Sequence, residues 1–518
     1  MMPSQPRSEI GRRRRCAVNV SRAGVVLAAL GLVGCAVQPP VERPHLPTAP
    51  ETWTATPGGA ASASPTVREA ALDPSLGWWA ELGDARLEAL ITEALTTNRD
   101  LRALSAAVEG AEAQARLAGA PLKPQVSGRL DGAKNQQVFV GLPIPGQSGP
   151  LQSRSSSYTG RVEVRWEADL WGRLRSGQKA ALGDLEASRE DLAAAWLALS
   201  GQVARTWFAL LESERQVALA ADTADSLGRT TRRVEARYRQ GLVPSLELRL
   251  ARANEARAVG NRERAKAARD ALRRQLEVLL GRYPSGSLES SGELPTLPDA
   301  IPAGLPAELV ARRPDLRASE ARIVAAGYRV AEARAAFYPS LTLTGSAGTS
   351  SDDVADLLDG DFSIWSLAGG LLQPIFQGGR LRAAADLSAA GRESTLAAHA
   401  QALLRAFSEV EVALGAEGWL TAEAEAVAIA VSESRAAVEL AEDRYLRGVG
   451  DYLTVLESQR QAFANESALL ALERQRLTNR VDLYLALGGG VPTPGIDPPR
   501  EASLAPASGT PTPNVETF

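Results

Sequence analysis

The sequence predicts an α+β membrane protein in which long α-helical coiled-coil segments are joined to β-strands and the whole pattern is written twice. Three observations predict it: an internal duplication, apolar seams too long for a globular core, and segments of alternating polarity.

The duplication is legible in paired motifs. Asp100-Leu101-Arg102-Ala103 recurs as Asp315-Leu316-Arg317-Ala318, and Pro124 as Pro339, at an offset of 215 residues. Arg173-Leu174-Arg175 returns as Arg380-Leu381-Arg382, at an offset of 207. Arg237-Tyr238-x-x-Gly241 and Leu280-Gly281 return as Arg444-Tyr445-x-x-Gly448 and Leu487-Gly488 at the same 207. One change of register, by eight residues between Pro124 and Arg173, accounts for all five pairs. A duplicated unit with one longer loop in its first copy produces that pattern. The first repeat is placed at 76–285, a linker at 286–304 and the second repeat at 305–490.

Each copy has one internal order. Ala- and Leu-rich helical patterns run around 84–120 and 305–337, two alternating stretches follow, and long helices then flank a Gly-containing turn. Steps of three and four from Leu182 meet Leu185, Leu192, Trp196, Leu199, Val203 and Leu210, a coiled-coil-like seam. The same stepping after the second turn meets Leu453, Leu456, Phe463, Leu470, Leu477, Val481 and Tyr484. Nearly seventy helical residues over 173–240 would reach roughly 100 Å, a length of no use to a globular core.

In Arg161-Val162-Glu163-Val164-Arg165-Trp166-Glu167, apolar and charged residues alternate, so one face suits lipid and the other water. Leu341 and Leu343 alternate with Thr342 and Thr344 in the second copy, and Phe362 to Phe376 is apolar and rich in Gly and aromatics. A half-exposed soluble sheet reads the same way. Strands of about ten residues cross a bilayer when tilted. Two strands per copy are too few to close around a lumen, and open edges in hydrocarbon cost several kcal/mol per unpaired group. Three or more chains must therefore share one barrel.

The ends point to export. Arg12 to Arg15 and Arg22 precede the apolar run Ala23 to Val33, a secretory signal too short to span a bilayer. The run ends in Leu32-Val33-Gly34-Cys35, similar to the lipobox of bacterial lipoproteins, so 1–34 is expected to be removed and Cys35 lipidated. Residues 35–75 read as anchor and flexible tether, and 491–518 as a disordered tail. With two Cys, two His and two Met, metal and thiol chemistry have few ligands to work with. A formal charge of −4 gives no basis for nucleic-acid binding. No Gly-rich phosphate loop or nucleophile motif appears, so no catalytic residue, cofactor or metal site is expected.

Over roughly residues 75 to 490 the chain resembles the TolC-like outer-membrane efflux duct (outer membrane factor) family, in its lipoprotein branch linked to RND multidrug efflux. The motifs are Trp78-Trp79, Leu305-Pro306, Arg313-Pro314-Asp315-Leu316, Ala333-Arg334-Ala335-Ala336-Phe337-Tyr338-Pro339-Ser340 and the paired Arg-Tyr-x-x-Gly turns. The resemblance implies a homotrimer with a 12-stranded β-barrel in the outer membrane and a periplasmic helical tunnel. It also implies docking to a periplasmic adaptor (membrane fusion) protein and an inner-membrane RND-type pump. Loops around 132–159 and 347–361 would then face the exterior.

The turns would lie at the periplasmic tips, with Gly241, Leu242, Val243, Gly448 and Val449 meeting the adaptor. Pro244 and Asp451 would start the next helices. At the gate the resemblance places an apolar ring of Leu453 and an acidic ring of Glu457, with Arg460 and Tyr445 pairing between chains and Glu247 at an equivalent acidic position. The bland alternative for Glu457 and Arg460 is an i, i+3 pair on a solvated helix. The rival readings are a type I protein-secretion exit duct and, from a different class, a periplasmic coiled-coil adaptor. A periplasmic enzyme with paired carboxylates is a further alternative.

Overall fold

The computed structural model describes residues 37–39, 53–55, 77–139, 151–290, 292–297 and 312–489. Cys35, the segment before it and the tail beyond 490 lie outside these residues.

The duplication is reproduced to the residue in the four long helices. Helices α1 (Ala85–Thr97) and α2 (Arg99–Gly119) lead to strands β1 (Gln125–Phe139) and β2 (Leu151–Ala168), then to α3 (Arg173–Arg239) and α4 (Ser245–Leu279). The second copy holds α5 (Pro314–Ala335), β3 (Ser340–Ser351), β4 (Ser363–Leu372), α6 (Arg380–Leu446) and α7 (Tyr452–Ala486). The helices α3 and α6 have 67 residues each, α4 and α7 have 35 each, and every boundary is displaced by the same 207. The single helical pattern expected around 84–120 is two helices, because Asn98 intervenes. Its side-chain oxygen accepts from Asp100 N (2.9 Å) and Leu101 N (3.1 Å), an N-cap that restarts the helix.

The chain divides into two compact units, each assembled from both repeats. The first holds the sheet. Its strands pair antiparallel in the order β1-β2-β3-β4. The register sets Val126, Val164, Gly345 and Leu367 in one row, and Gly128, Val162, Ala347 and Trp365 in another. Rows two residues apart share a face, so this face is apolar: Val126 is 67% exposed, Leu367 80% and Trp365 81%. The intervening rows carry Ser127, Glu163, Ser346 and Ser366, and Gln125, Arg165 and Thr344, a polar opposite face. Gly348 is required where β2 and β3 approach, since a Cβ there would lie 2.1 Å from the carbonyl oxygen of Gly160.

The strands outrun the expected loops. Pairing continues from Gly132↔Tyr158 to Phe139↔Leu151, so the first connector shrinks from 132–159 to 140–150, which is outside the described residues. The second begins after Ser351 rather than at 347, and contains short 3-10 turns at Ala355–Leu358 and Gly360–Phe362. Polar residues such as Ser153 to Ser157 carry no apolar alternation, yet their backbone still completes the ladder.

The second unit has its largest core around Trp78, which is fully buried, stacks on Tyr484 (5.5 Å between ring centres) and donates from Nε1 to Ser200 Oγ (3.1 Å). Trp207 Nε1 donates to Asp84 Oδ2 (2.7 Å), while Asp84 Oδ1 caps α1 through Arg86 N and Leu87 N. The seam residues Leu192, Val203, Leu210, Leu477, Val481 and Tyr484 are buried, whereas Leu453 at one seam end is 59% exposed.

The tether expected at 35–75 is held at two points. Val37 N donates to the Trp171 carbonyl (3.1 Å) in the first unit. In the second, Trp53 is buried beside Phe407, and Glu411 accepts from Thr54 N and Ala55 N, both at 2.8 Å. Burying one indole outweighs the Pro/Ala/Ser/Thr composition around it. The linker expected at 286–304 is likewise anchored at its start. Burial disfavours the Glu277 charge, but donors from Gly286 N, Ser285 Oγ, Leu288 N and Ser287 N outweigh it and hold the carboxyl below its usual range.

Candidate functional site

The two hairpin turns are built alike. After α3, Gly241 takes φ 71°, its N–H bonds the Tyr238 carbonyl (2.9 Å) and Leu242 N bonds the Arg237 carbonyl (2.9 Å). After α6, Gly448 takes φ 78°, with Gly448 N to Tyr445 O (3.0 Å) and Val449 N to Arg444 O (3.0 Å). Both are Schellman closures, in which a left-handed residue lets the last carbonyls find donors. The restart differs between copies. Asp451 caps α7 by accepting from Thr454 N (2.8 Å), which lowers the Asp451 pKa, whereas Pro244 opens α4 with no side-chain cap.

Between the turns lies a small core of Val234, Val243, Leu248, Ala251, Ala441, Tyr445, Tyr452 and Val455. Tyr445 is 6% exposed, and its hydroxyl donates to Glu247 Oε2 at 2.9 Å. Arg237 lies over the Tyr445 ring at 4.8 Å and donates from Nη1 to the Tyr445 carbonyl at 3.0 Å. The Tyr452 ring packs beside it at 5.8 Å. Burial first, then the Glu247 carboxylate, pushes the Tyr445 hydroxyl up to about 12, and burial does the same for Tyr452. Both phenols are therefore neutral donors at physiological pH, and one of them holds a carboxylate.

Of the residues singled out from sequence, Tyr445 and Glu247 are brought together within one chain. Arg460 meets Glu457 at 2.8 Å across one turn of α7, both on an exposed face with Leu453. Leu242 (63%) and Val449 (65%) are exposed at the turns, and Gly241 and Gly448 are open. Val243, between the first of these turns and the next helix, is 9% exposed in the single chain and packs into the tip core. Sequence reasoning missed Arg237 and Tyr452. The repeat gave no signal for them: Tyr238 and Tyr445 are equivalent positions, yet only Tyr445 is buried, Tyr238 being 42% exposed.

Among the described residues no His, Cys, Asp or Glu group has the arrangement of a metal site, and no helix is long and apolar enough to cross a membrane. The apolar face of the sheet is the remaining candidate for contact with lipid.

The family model described as outer membrane efflux protein matches residues 90–282 and 305–489, one stretch in each repeat. The chain belongs to the outer membrane efflux protein family. It is 35% identical over 475 residues to outer membrane protein OprJ of Pseudomonas aeruginosa, covering 90% of this chain and 95% of OprJ. It is also 35% identical over 453 residues to the pyoverdine export outer membrane protein OpmQ of Pseudomonas putida, covering 86% and 94%. The crystal structure of the open state of the MtrE outer membrane channel of Neisseria gonorrhoeae aligns with a TM-score of 0.75 at 29% identity, over 88% of this chain and 99% of MtrE. The molecule is thus an outer-membrane efflux channel protein, with the duplicated α+β architecture of such channels. The periplasmic adaptor alternative falls, because the match to channel proteins covers the strands as well as the helices of both repeats.

Proposed function

We propose that the protein works as a homotrimeric duct, anchored by lipid at Cys35, that passes small molecules from a periplasmic adaptor and an inner-membrane RND-type pump out of the cell. The carrying observation is the four-stranded sheet with one apolar face, whose outer strands β1 and β4 each pair on one side only. Unpaired backbone groups cannot stay in hydrocarbon, so copies must pair edge to edge, and three copies make the twelve strands of a common pore size. The similarity to OpmQ, a pyoverdine export outer membrane protein by its description, favours small-molecule cargo over secreted protein.

The hairpin tips form the periplasmic gate in this reading. Leu453 and Glu457, exposed in the single chain, line the opening as an apolar and an acidic ring. Tyr445 and Arg460 have partners within one chain, Glu247 and Glu457, so any pairing between chains exchanges these bonds as the gate closes or opens. The exposed turn residues Leu242 and Val449, with Gly241 and Gly448, offer the adaptor its contact. Single-channel conductance of the purified protein in planar bilayers tests the duct. Long-lived, cation-biased openings whose bias falls in Glu457→Ala are expected. A folded, inserted protein that passes no current even with Tyr445 and Arg460 both replaced by alanine overturns it.

A further inference from the structure

In the second unit the long helices are joined side by side in the order α4-α3-α7-α6. Glu214 of α3 holds Arg269 (3.2 Å) and Arg273 (2.5 Å) of α4. Arg205 and Glu212 of α3 pair with Asp482 (2.6 Å) and Arg474 (2.9 Å) of α7. Asn479 of α7 donates to the Ala413 carbonyl of α6 (2.9 Å). On the α3–α7 seam Gly201 makes room for Leu485, whose side chain would collide with a Cβ there. At this level α4 and α6 are the outer members of the layer.

The 207-residue shift carries the α3 side of that seam onto α6 and the α7 side back onto α4. Gly201, Arg205 and Glu212 become Ser408, Val412 and Trp419. Leu485, Asp482 and Arg474 become Val278, Gln275 and Ala267. The shifted residues are all exposed, Trp419 at 78%. On each helix they share one face, because their spacings are whole numbers of turns to within a fraction. Charge has been exchanged for apolar surface. The Glu212–Arg474 ion pair corresponds to Trp419 opposite Ala267, a large ring facing a methyl group, and the Arg205–Asp482 pair to Val412 opposite Gln275. An indole left in water forgoes the burial that aromatic side chains usually gain.

We propose that this exposed α6 face is covered by α4 of a second copy of the chain, in the arrangement that α3 and α7 take within one copy. Trp419 then packs on Ala267 of the neighbour, Val412 on Gln275 and Ser408 on Val278. The complement to the α6 face is already present in the chain, on the helix at the other side of the layer. Resting on the homotrimer reading above, the contact is heterologous: α6 of one copy meets α4 of the next, and the ring closes when the last copy meets the first. Seams within a copy are ionic, and the seam between copies is apolar.

Cysteine cross-linking in the full-length, membrane-embedded protein tests the contact. Both native cysteines, Cys16 and Cys35, precede the helices, and single-cysteine variants set the background. Oxidation of Ser408→Cys with Val278→Cys, and of Trp419→Cys with Ala267→Cys, should give covalent dimers and trimers at least tenfold above that background. The first pair keeps Trp419, so the result does not hang on a variant that removes it. Ser408→Cys with Ala267→Cys is out of register by roughly 16 Å of helix, beyond disulfide reach, and should stay at background. Mass photometry of the unoxidised protein reports the trimer separately. Trimers that cross-link through neither facing pair, or equally through the out-of-register pair, overturn the α6–α4 contact while the homotrimer stands. Monomers throughout overturn both.

Discussion

The hydroxyl of Tyr445 donates a 2.9 Å hydrogen bond to Glu247 across 198 residues of sequence, joining the turn of the second repeat to the first helical turn after the other. The carboxylate accepts from a neutral phenol whose own ionisation is suppressed, so the bond persists through the physiological pH range. Its loss in Tyr445→Phe removes a bond to a charged group, about 1.5–3 kcal/mol of local stability. More frequent channel openings are expected, with amide exchange accelerated at residues 445–455 and the global thermal midpoint little changed. Wild-type gating in that variant would remove Tyr445 from the gate.

The turns separate exposure from packing. Leu242→Ser and Val449→Ser change side chains that are more than half exposed, so folding and oligomer formation should be unaffected while cross-linking to the adaptor falls. Val243→Ser hollows the tip core, and a lowered midpoint of about 1–3 kcal/mol equivalent is expected, as for other buried apolar truncations. If Leu242→Ser and Val449→Ser both cross-link like wild type, the adaptor contact lies elsewhere.

His399 makes stability depend on pH. It is 5% exposed, and its Nδ1 lies 2.7 Å from Ser319 Oγ, whose own hydrogen goes to the Leu316 carbonyl (2.7 Å), so Nδ1 carries the proton in the neutral ring. Burial lowers the imidazole pKa from 6.5, with the Glu320 charge opposing. The folded protein then binds fewer protons than the unfolded one just below pH 6.5, so stability falls as pH drops through that value and levels off below the folded pKa. The drop in thermal midpoint between about pH 7.5 and 5 should be smaller in His399→Gln than in wild type. Equal drops would show that carboxylates elsewhere set the slope.

Glu411 holds the N-terminal segment through two backbone donors, Thr54 N and Ala55 N. In Glu411→Ala those amides should exchange about 10- to 100-fold faster, the equivalent of 1.5–3 kcal/mol, and Trp53 should become accessible to quenchers. Unchanged exchange would mean that the Trp53–Phe407 contact alone suffices.

The sequence by itself determined the duplication, the long helices with their glycine turns and the alternating polarity of the strands. Helical and strand periodicity, glycine at a left-handed turn and Asp451 as a cap are local properties, and local properties repeat when a segment is copied. Only the tertiary structure decided which copy of an equivalent pair is buried. Tyr238 and Tyr445 occupy equivalent places in the repeated Arg-Tyr-x-x-Gly motif, yet one faces solvent and the other meets Glu247. The same holds for Trp53, Val243 and the polar ends of β1 and β2. Their positions follow from contacts with chain far away, such as Phe407 for Trp53, and a window of neighbouring residues carries no record of those contacts.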